Sequence, residues 1–414
     1  MKGFQMDPNR RKVRLAFVSY QARADGIGNA LCALVSRLDY SRFEVTVLFT
    51  TGEDYGDSSI LGRFAPCVRV IVADRTRCVT FRRRYRWNLL HRFGGFLFWH
   101  TSGPSRAVGR FFCDMEARLY ARYIRRELGQ DAAACDTVVV YDTRAAEEAV
   151  RAFSCQSRLL VYHCGEKEGV YHQELGFAAA DRILSVGRRV ADDIRRWWPE
   201  YAEKVVVAEN LVDARRILEC AEASTDSADE STFVPDAVHV VTCARLNSVK
   251  GIDLALKAIA ILAREGLRGF RYHVIGWGAE GPVYRMRARQ LGVRDLVIFH
   301  GHRSNPYPLM RRADVYLQPS VKEALGLTIS EALLLGCPVV STRTAGGIDH
   351  LSEPGVRGVL CDISAEGIAA ALRPLLSDST AREALRNRSY LARCEEQNLR
   401  RLVCFESFCV PRRA

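Results

Sequence analysis

The chain has 414 residues, 48% of them hydrophobic and 26% charged, and a formal net charge of +12. That length suffices for two domains of about 200 residues, each burying its own core, and the composition is that of an ordinary globular protein. No apolar run approaches the roughly 18 residues of a membrane span, the first twelve residues carry no apolar signal core, and the fourteen cysteines form no Cys-x-x-Cys pair. These features argue against a membrane-spanning chain, an exported chain and a disulfide framework, and they predict reduced core thiols with no zinc site.

In chain order, the first half reads as strands at 13–20, 43–49, 137–141, 159–163, 181–186 and 205–208 with helices between them. That alternation predicts a parallel, doubly wound sheet. Gly26-Ile-Gly28-Asn29 follows the first strand and opens a helix expected over about 30–38. Glycines there either let backbone amides approach a phosphate or sugar, or make a plain turn. Residues 75–106 hold eight arginines and no acid, interleaved with Phe81, Tyr85, Trp87, Phe93, Phe96, Phe98 and Trp99. The mixture suits an anionic lipid surface or a nucleic acid, or else is a solvated Arg-rich loop. No nucleic-acid motif stands alongside it, so a nucleic acid is not the expected partner.

His163 closes the strand at 159–163, where a carboxyl-end position makes it a candidate catalytic residue or a satisfied core histidine. Glu166 and Glu168 follow in a loop. Asn210-Leu-Val-Asp213 ends the first half, and the polar tract 223–232 suits a surface loop. Strands are expected in the second half at 238–244, 272–276, 296–300, 315–319 and 338–342, and a mostly helical tail over 381–408. His300-Gly-His302 reads as strand-end structure.

The chemistry concentrates in the second half. Arg245 and Lys250 lie in a loop between a buried strand and a helix start near Gly251, in a chain with seven lysines against 53 arginines. An Arg and a Lys converging from one loop can neutralise a diphosphate, the first as a planar fork and the second as a point charge. Glu323 falls in the strand-to-helix loop after 315–319, and Glu331 about one turn inside the helix expected over 328–335. The amides of Leu325, Gly326 and Leu327 open that helix and make an anion site. A loop carboxylate beside such amides suits a ligand carrying both hydroxyls and phosphates.

These pieces, together with Val274-Ile-Gly276-x-Gly278-x-Glu280, Phe299-x-Gly301, Ala313-Asp-Val315, Pro319-Ser320, Gly336-x-Pro338-Val-Val and Gly346-Gly347, stand in order across residues 238–362. In that order and at those separations they resemble the family 4 glycosyltransferases of the GT-B fold. The resemblance implies an α/β protein of two facing Rossmann-like domains with a cleft between them. It places an acceptor-side domain at 1–211, a nucleotide-sugar-binding domain at 212–384 and a C-terminal helix at about 385–410 packing back on the first domain. Retaining, metal-independent transfer is implied, from a nucleoside-diphosphate sugar to a glycan or lipid-linked acceptor, in cell-surface polysaccharide or glycolipid synthesis. The implied setting is the cytoplasm, at the inner face of the membrane, with no cofactor beyond the co-substrate.

By the same resemblance, Glu323 and His163 are catalytic, and Arg245, Lys250, Gly326 and Leu327 bind the donor diphosphate. Glu323 and Glu331 hold the sugar and ribose, the backbone near His302 brackets the nucleobase, and Gly26 and Gly28 form a phosphate or acceptor loop. A sugar-nucleotide epimerase of the same fold and a non-catalytic nucleotide-sugar-binding protein are the alternatives.

Overall fold

The structure is a computed structural model describing residues 11–51, 59–73, 103–129, 134–164 and 176–411. The basic segment 75–102 and the loop acids Glu166 and Glu168 lie outside the described residues, and of the side chains at 103–106 nothing is described.

Two parallel sheets organise the chain. The first holds β1 (Val13–Ser19), β2 (Phe43–Phe49), β3 (Arg69–Val72), β4 (Ala134–Val140), β5 (Ser154–Tyr162), β6 (Arg182–Ser185) and β7 (Val205–Val207), in the order β3-β2-β1-β4-β5-β6-β7. The second holds β8 (Val238–Cys243), β9 (Phe270–Ile275), β10 (Val297–Gly301), β11 (Val315–Gln318), β12 (Val339–Thr342) and β13 (Val359–Cys361), in the order β10-β9-β8-β11-β12-β13. Both orders reverse beside the first strand of their sheet. In open α/β sheets that reversal is where a crevice opens beyond the carboxyl ends of the strands. The strands are near-continuous apolar runs because helices cover both faces: β1 and β4 are buried along most of their length, and β5 over its last four residues. β3 and β13, at 69–72 and 359–361, were not expected from the sequence; both are short edge strands with few buried residues.

The two halves touch through the loop that follows β11. Ala324 and Leu325 are buried in the apolar core of the first half. The C-terminal helix Tyr390–Cys409 joins them a second time. Its first turns bury Tyr390 and Cys394 with the second half, and its last turns bury Phe405 and Cys409 with the first. Phe405 stacks on Phe17 with ring centroids 6.0 Å apart, and Thr137 donates to the carbonyl of Cys409 at 2.7 Å. Among the described residues no helix is long and apolar enough to cross a membrane.

Candidate functional site

At the carboxyl end of β8 the chain turns through Arg245, makes a short 3-10 turn over Ser248–Lys250, and enters the helix Ile252–Arg264 at Gly251. Gly251 has φ +67°, and a Cβ there would sit 1.9 Å from the carbonyl oxygen of Pro319. Only glycine lets this loop close against the one that follows β11. The contact puts Lys250 on Glu323, 73 residues later, with Nζ 2.7 Å from Oε2. The same oxygen accepts from Gln318 Nε2 at 2.9 Å and Ser320 Oγ at 3.2 Å. Oε1 of Glu323 takes no hydrogen bond among the described residues, and the side chain is 12% exposed. The carboxylate is therefore fixed by one oxygen and open at the other. Gln318 and Ser320 were not anticipated; their alternation along β11 and its extension was the available signal.

Gly326, at φ +71°, starts the helix Leu327–Leu334. Its first-turn amides follow the Glu323 loop directly. Arg245 is exposed on the neighbouring loop.

Glu331 lies at the far side of this helix, half-buried, with its carboxyl 3.3 Å from the hydroxyl of Tyr307. Burial pushes its pKa up to about 7, against which the Tyr307 hydrogen bond pulls weakly down. It lines a partly open pocket with Asn29 and Arg63 of the first half, Asp213 and Arg216 of the connecting segment, and Tyr307 and Leu327 of the second. No cation reaches Glu331 within ion-pair distance among the described residues, which leaves its oxygens to a neutral donor such as a hydroxyl.

His163, the residue after β5, is held by Asn210. The Asn210 amide oxygen accepts from the Tyr141 hydroxyl at 3.2 Å, so its nitrogen, 3.4 Å from His163 Nδ1, is the donor there. That assignment places the imidazole proton on Nε2, a buried atom without a hydrogen-bond partner among the described residues. Burial pushes the ring down to about 4, so it is neutral near pH 7 and offers one N–H as a donor. No hydrogen bond links it to Glu323.

One boundary is corrected: the helix expected from about 30 begins at Gly26. The helix runs Gly26–Val35, capped by Asp25, whose carboxylate accepts from the Gly28 amide at 3.0 Å. Gly28 is required because a Cβ there would lie 1.9 Å from the Arg23 carbonyl oxygen, while a Cβ on Gly26 would lie 4.0 Å from the Leu327 side chain. His302 is exposed, and its carbonyl accepts from Arg303 at 3.0 Å, which leaves one lone pair of that oxygen.

Residues 225–392 match the family model described as Glycosyl transferases group 1. Curated relatives include the lipopolysaccharide core biosynthesis glycosyltransferase LpsE of Rhizobium meliloti, 29% identical over 46% of this chain and 53% of its own length. The lipopolysaccharide glucosyltransferase WaaG of Escherichia coli is 30% identical over 33% of this chain and 36% of its own length. The chain thus spans about half or less of these relatives. Among solved structures, Anabaena Alr3699/HepE in complex with UDP-glucose superposes with a TM-score of 0.65 at 16% identity, covering 95% of this chain and 99% of that one. WaaG superposes with a TM-score of 0.64 at 16% identity, covering 96% and 99%. The fold is GT-B.

Proposed function

We propose that this chain, a GT-B protein whose residues 225–392 form a group 1 glycosyl transferase domain, moves a sugar from a nucleoside-diphosphate sugar to a glycan or lipid-linked acceptor. The observation that carries the reading is the Lys250–Glu323 pair beside the start of the helix Leu327–Leu334. A cation, a set of amides and a half-satisfied carboxylate converge there from two loops. A departing diphosphate gains negative charge, and groups already aimed at it lower the barrier. Lys250 has three N–H donors, so it can keep Glu323 and reach a phosphate, while Arg245 approaches from the same loop. Oε1 of Glu323 is left to the sugar hydroxyls, and Glu331 to the ribose. The neutral N–H of His163 would stabilise charge on the sugar side without delivering a proton. Transfer with retention, and without a metal ion, completes the reading.

The relatives named above act in lipopolysaccharide synthesis and a structural neighbour holds UDP-glucose, so UDP-sugars are the first donors to try. The acceptor would be a lipid-linked core glycan at the inner face of the membrane, met through the basic segment 75–106. Salt-sensitive sedimentation with anionic vesicles tests that attachment.

The decisive experiment is a panel of UDP-, GDP- and ADP-sugars followed by nucleotide release and thermal shift. One nucleotide should raise the melting point and its sugar should be released or transferred. Absence of both with every donor would remove the reading.

A further inference from the structure

Three histidines stand on three neighbouring strands of the second sheet. His239 is on β8, His273 on β9 and His300 on β10, and Val241 and Ile298 are the register partners of His273. His239 is thus offset by two residues from the partner of His273, while the register shifts at His300, and the ring contacts place all three imidazoles in one diagonal row. They are buried. His239 Nδ1 is 2.9 Å from His273 Nε2, and His273 Nδ1 is 2.9 Å from His300 Nε2. At one end His300 Nδ1 lies 2.7 Å from the Asp229 carboxylate, and at the other His239 Nε2 lies 2.9 Å from the Val234 carbonyl.

Counting protons along this row gives an uneven sum. There are four contacts in a line, and each needs one hydrogen. Both ends are acceptors: a carbonyl cannot carry a proton, and Asp229 takes two hydrogen bonds from Arg303, at 2.6 and 2.8 Å, as a carboxylate does. Three neutral imidazoles supply three hydrogens. One contact would then set two lone pairs face to face at hydrogen-bond distance, which a buried site does not tolerate.

We propose that His239, His273, His300 and Asp229 form a buried proton-binding site that holds one proton more than three neutral rings and a carboxylate carry, and that this proton clamps residues 226–234 onto the second sheet.

The clamped segment supplies both ends of the row and its cover. Asp229 belongs to the short helix Ser227–Glu230, and Phe233 stacks on His273 with centroids 4.2 Å apart and planes at 11°. The charges that face the row are Asp229, Arg303, Arg271 of β9, Arg312 above Phe233, and Asp314, which accepts from the His239 backbone amide. Burial pushes His273 down to about 3 and also lowers His239, so the positive charge belongs at the carboxylate end. Arg303 beside Asp229 holds that carboxyl below the usual range, which keeps the counter-charge in place.

The linkage runs in two directions. An unfolded chain below about pH 6.5 charges all three imidazoles, two more protons than the row holds, so acid weakens the clamp. At high pH the folded row still holds one proton that free imidazoles have lost, so alkali weakens it when that proton leaves. The site does not depend on the sugar-transfer reading.

Histidine-selective ¹⁵N labelling tests it directly. An ordinary imidazole is neutral at pH 8, and burial pushes His163 and His350 down to about 4. A ring protonated on both nitrogens at pH 8 must therefore come from the row. We expect that signal in the wild type and its loss in His273→Gln. We also expect its loss in Asp229→Asn, whose amide N–H supplies the fourth hydrogen itself. Amide exchange of 226–234 should rise in His273→Gln while the rest of the domain stays protected. A wild-type spectrum with only neutral rings at pH 8 would overturn the proton count, whether or not either variant folds. A segment equally protected in wild type and variant would overturn the clamp.

Discussion

Glu323 and Glu331 are the same residue type on one short stretch of chain, and their surroundings set them two different tasks. Glu323 receives Lys250, Gln318 and Ser320 on one oxygen, whereas among the described residues Glu331 meets only a tyrosine hydroxyl in a cavity wall. Glu323→Ala should leave nucleoside diphosphate binding nearly intact and abolish transfer; Glu331→Ala should weaken nucleotide binding itself. Lys250→Ala should cost about 1.5–3 kcal/mol of charge-assisted contact, divided between donor affinity and turnover. Calorimetry with nucleoside diphosphate and steady-state kinetics separate these outcomes. The reverse pattern for the two glutamates would show their roles exchanged. Acidity gives a second check on Glu331. Its folded-state value near 7 stands above the ordinary 4.5, so its contribution to stability is full below 4.5 and is lost as pH rises through 7. Between pH 5 and 8 the wild type should lose up to about 3 kcal/mol relative to Glu331→Gln in denaturant titrations. Equal pH dependence of the two would mean the carboxyl is solvated.

Elements were legible where one physical cause decides them. Buried parallel strands are apolar throughout, so β1, β2, β8 and β11 stand out by composition, and the helix beginning at Leu327 was placed within a residue. The helix at Gly26 began earlier than expected because its glycines suggested a loop, while the stronger signal was Asp25 as an N-cap. Residues 223–232 are polar and suited a surface loop, yet Asp229 is buried. Its partners His300 and Arg303 lie 71 and 74 residues away, beyond the reach of any local pattern. The Lys250–Glu323 contact is as distant in sequence, and it was anticipated only as two groups serving one ligand, not as a pair. The connecting segment is held by an element that composition alone would not single out. Asn398, fully buried on the C-terminal helix, accepts from the Val212 amide at 3.0 Å and donates to the Val212 carbonyl at 2.8 Å. Asn398→Ala strands both backbone groups, and we expect a loss of about 2–4 kcal/mol in chemical denaturation. Unchanged stability would mean that water replaces the amide.

The whole molecule divides the candidate groups between its halves. Lys250, Glu323 and Glu331 lie in the second, His163 and the Asn29–Arg63 wall of the cavity in the first, and the connection at 210–213 runs between them. Among the described residues few polar contacts bridge the cleft directly; one is Asp349, which accepts from the Arg189 amide at 3.3 Å and lies 3.8 Å from its guanidinium. Such an interface permits relative motion. Solution scattering should register compaction when saturating nucleoside diphosphate is added. An unchanged radius of gyration with verified binding would mean that the cleft is already closed.

The C-terminal helix has a consequence for how the molecule comes into being. Phe405 and Cys409 complete a core whose other members begin at Leu15, so the N-terminal domain waits for residues 405–409 to leave the ribosome. Synthesis at about 5–20 residues per second makes that wait tens of seconds. Throughout it, the face around Phe17 has no cover of its own and must be kept from other chains. The second domain waits less: its sheet lies wholly within 238–361, and the last members of its core, Tyr390 and Cys394, emerge before Phe405 and Cys409.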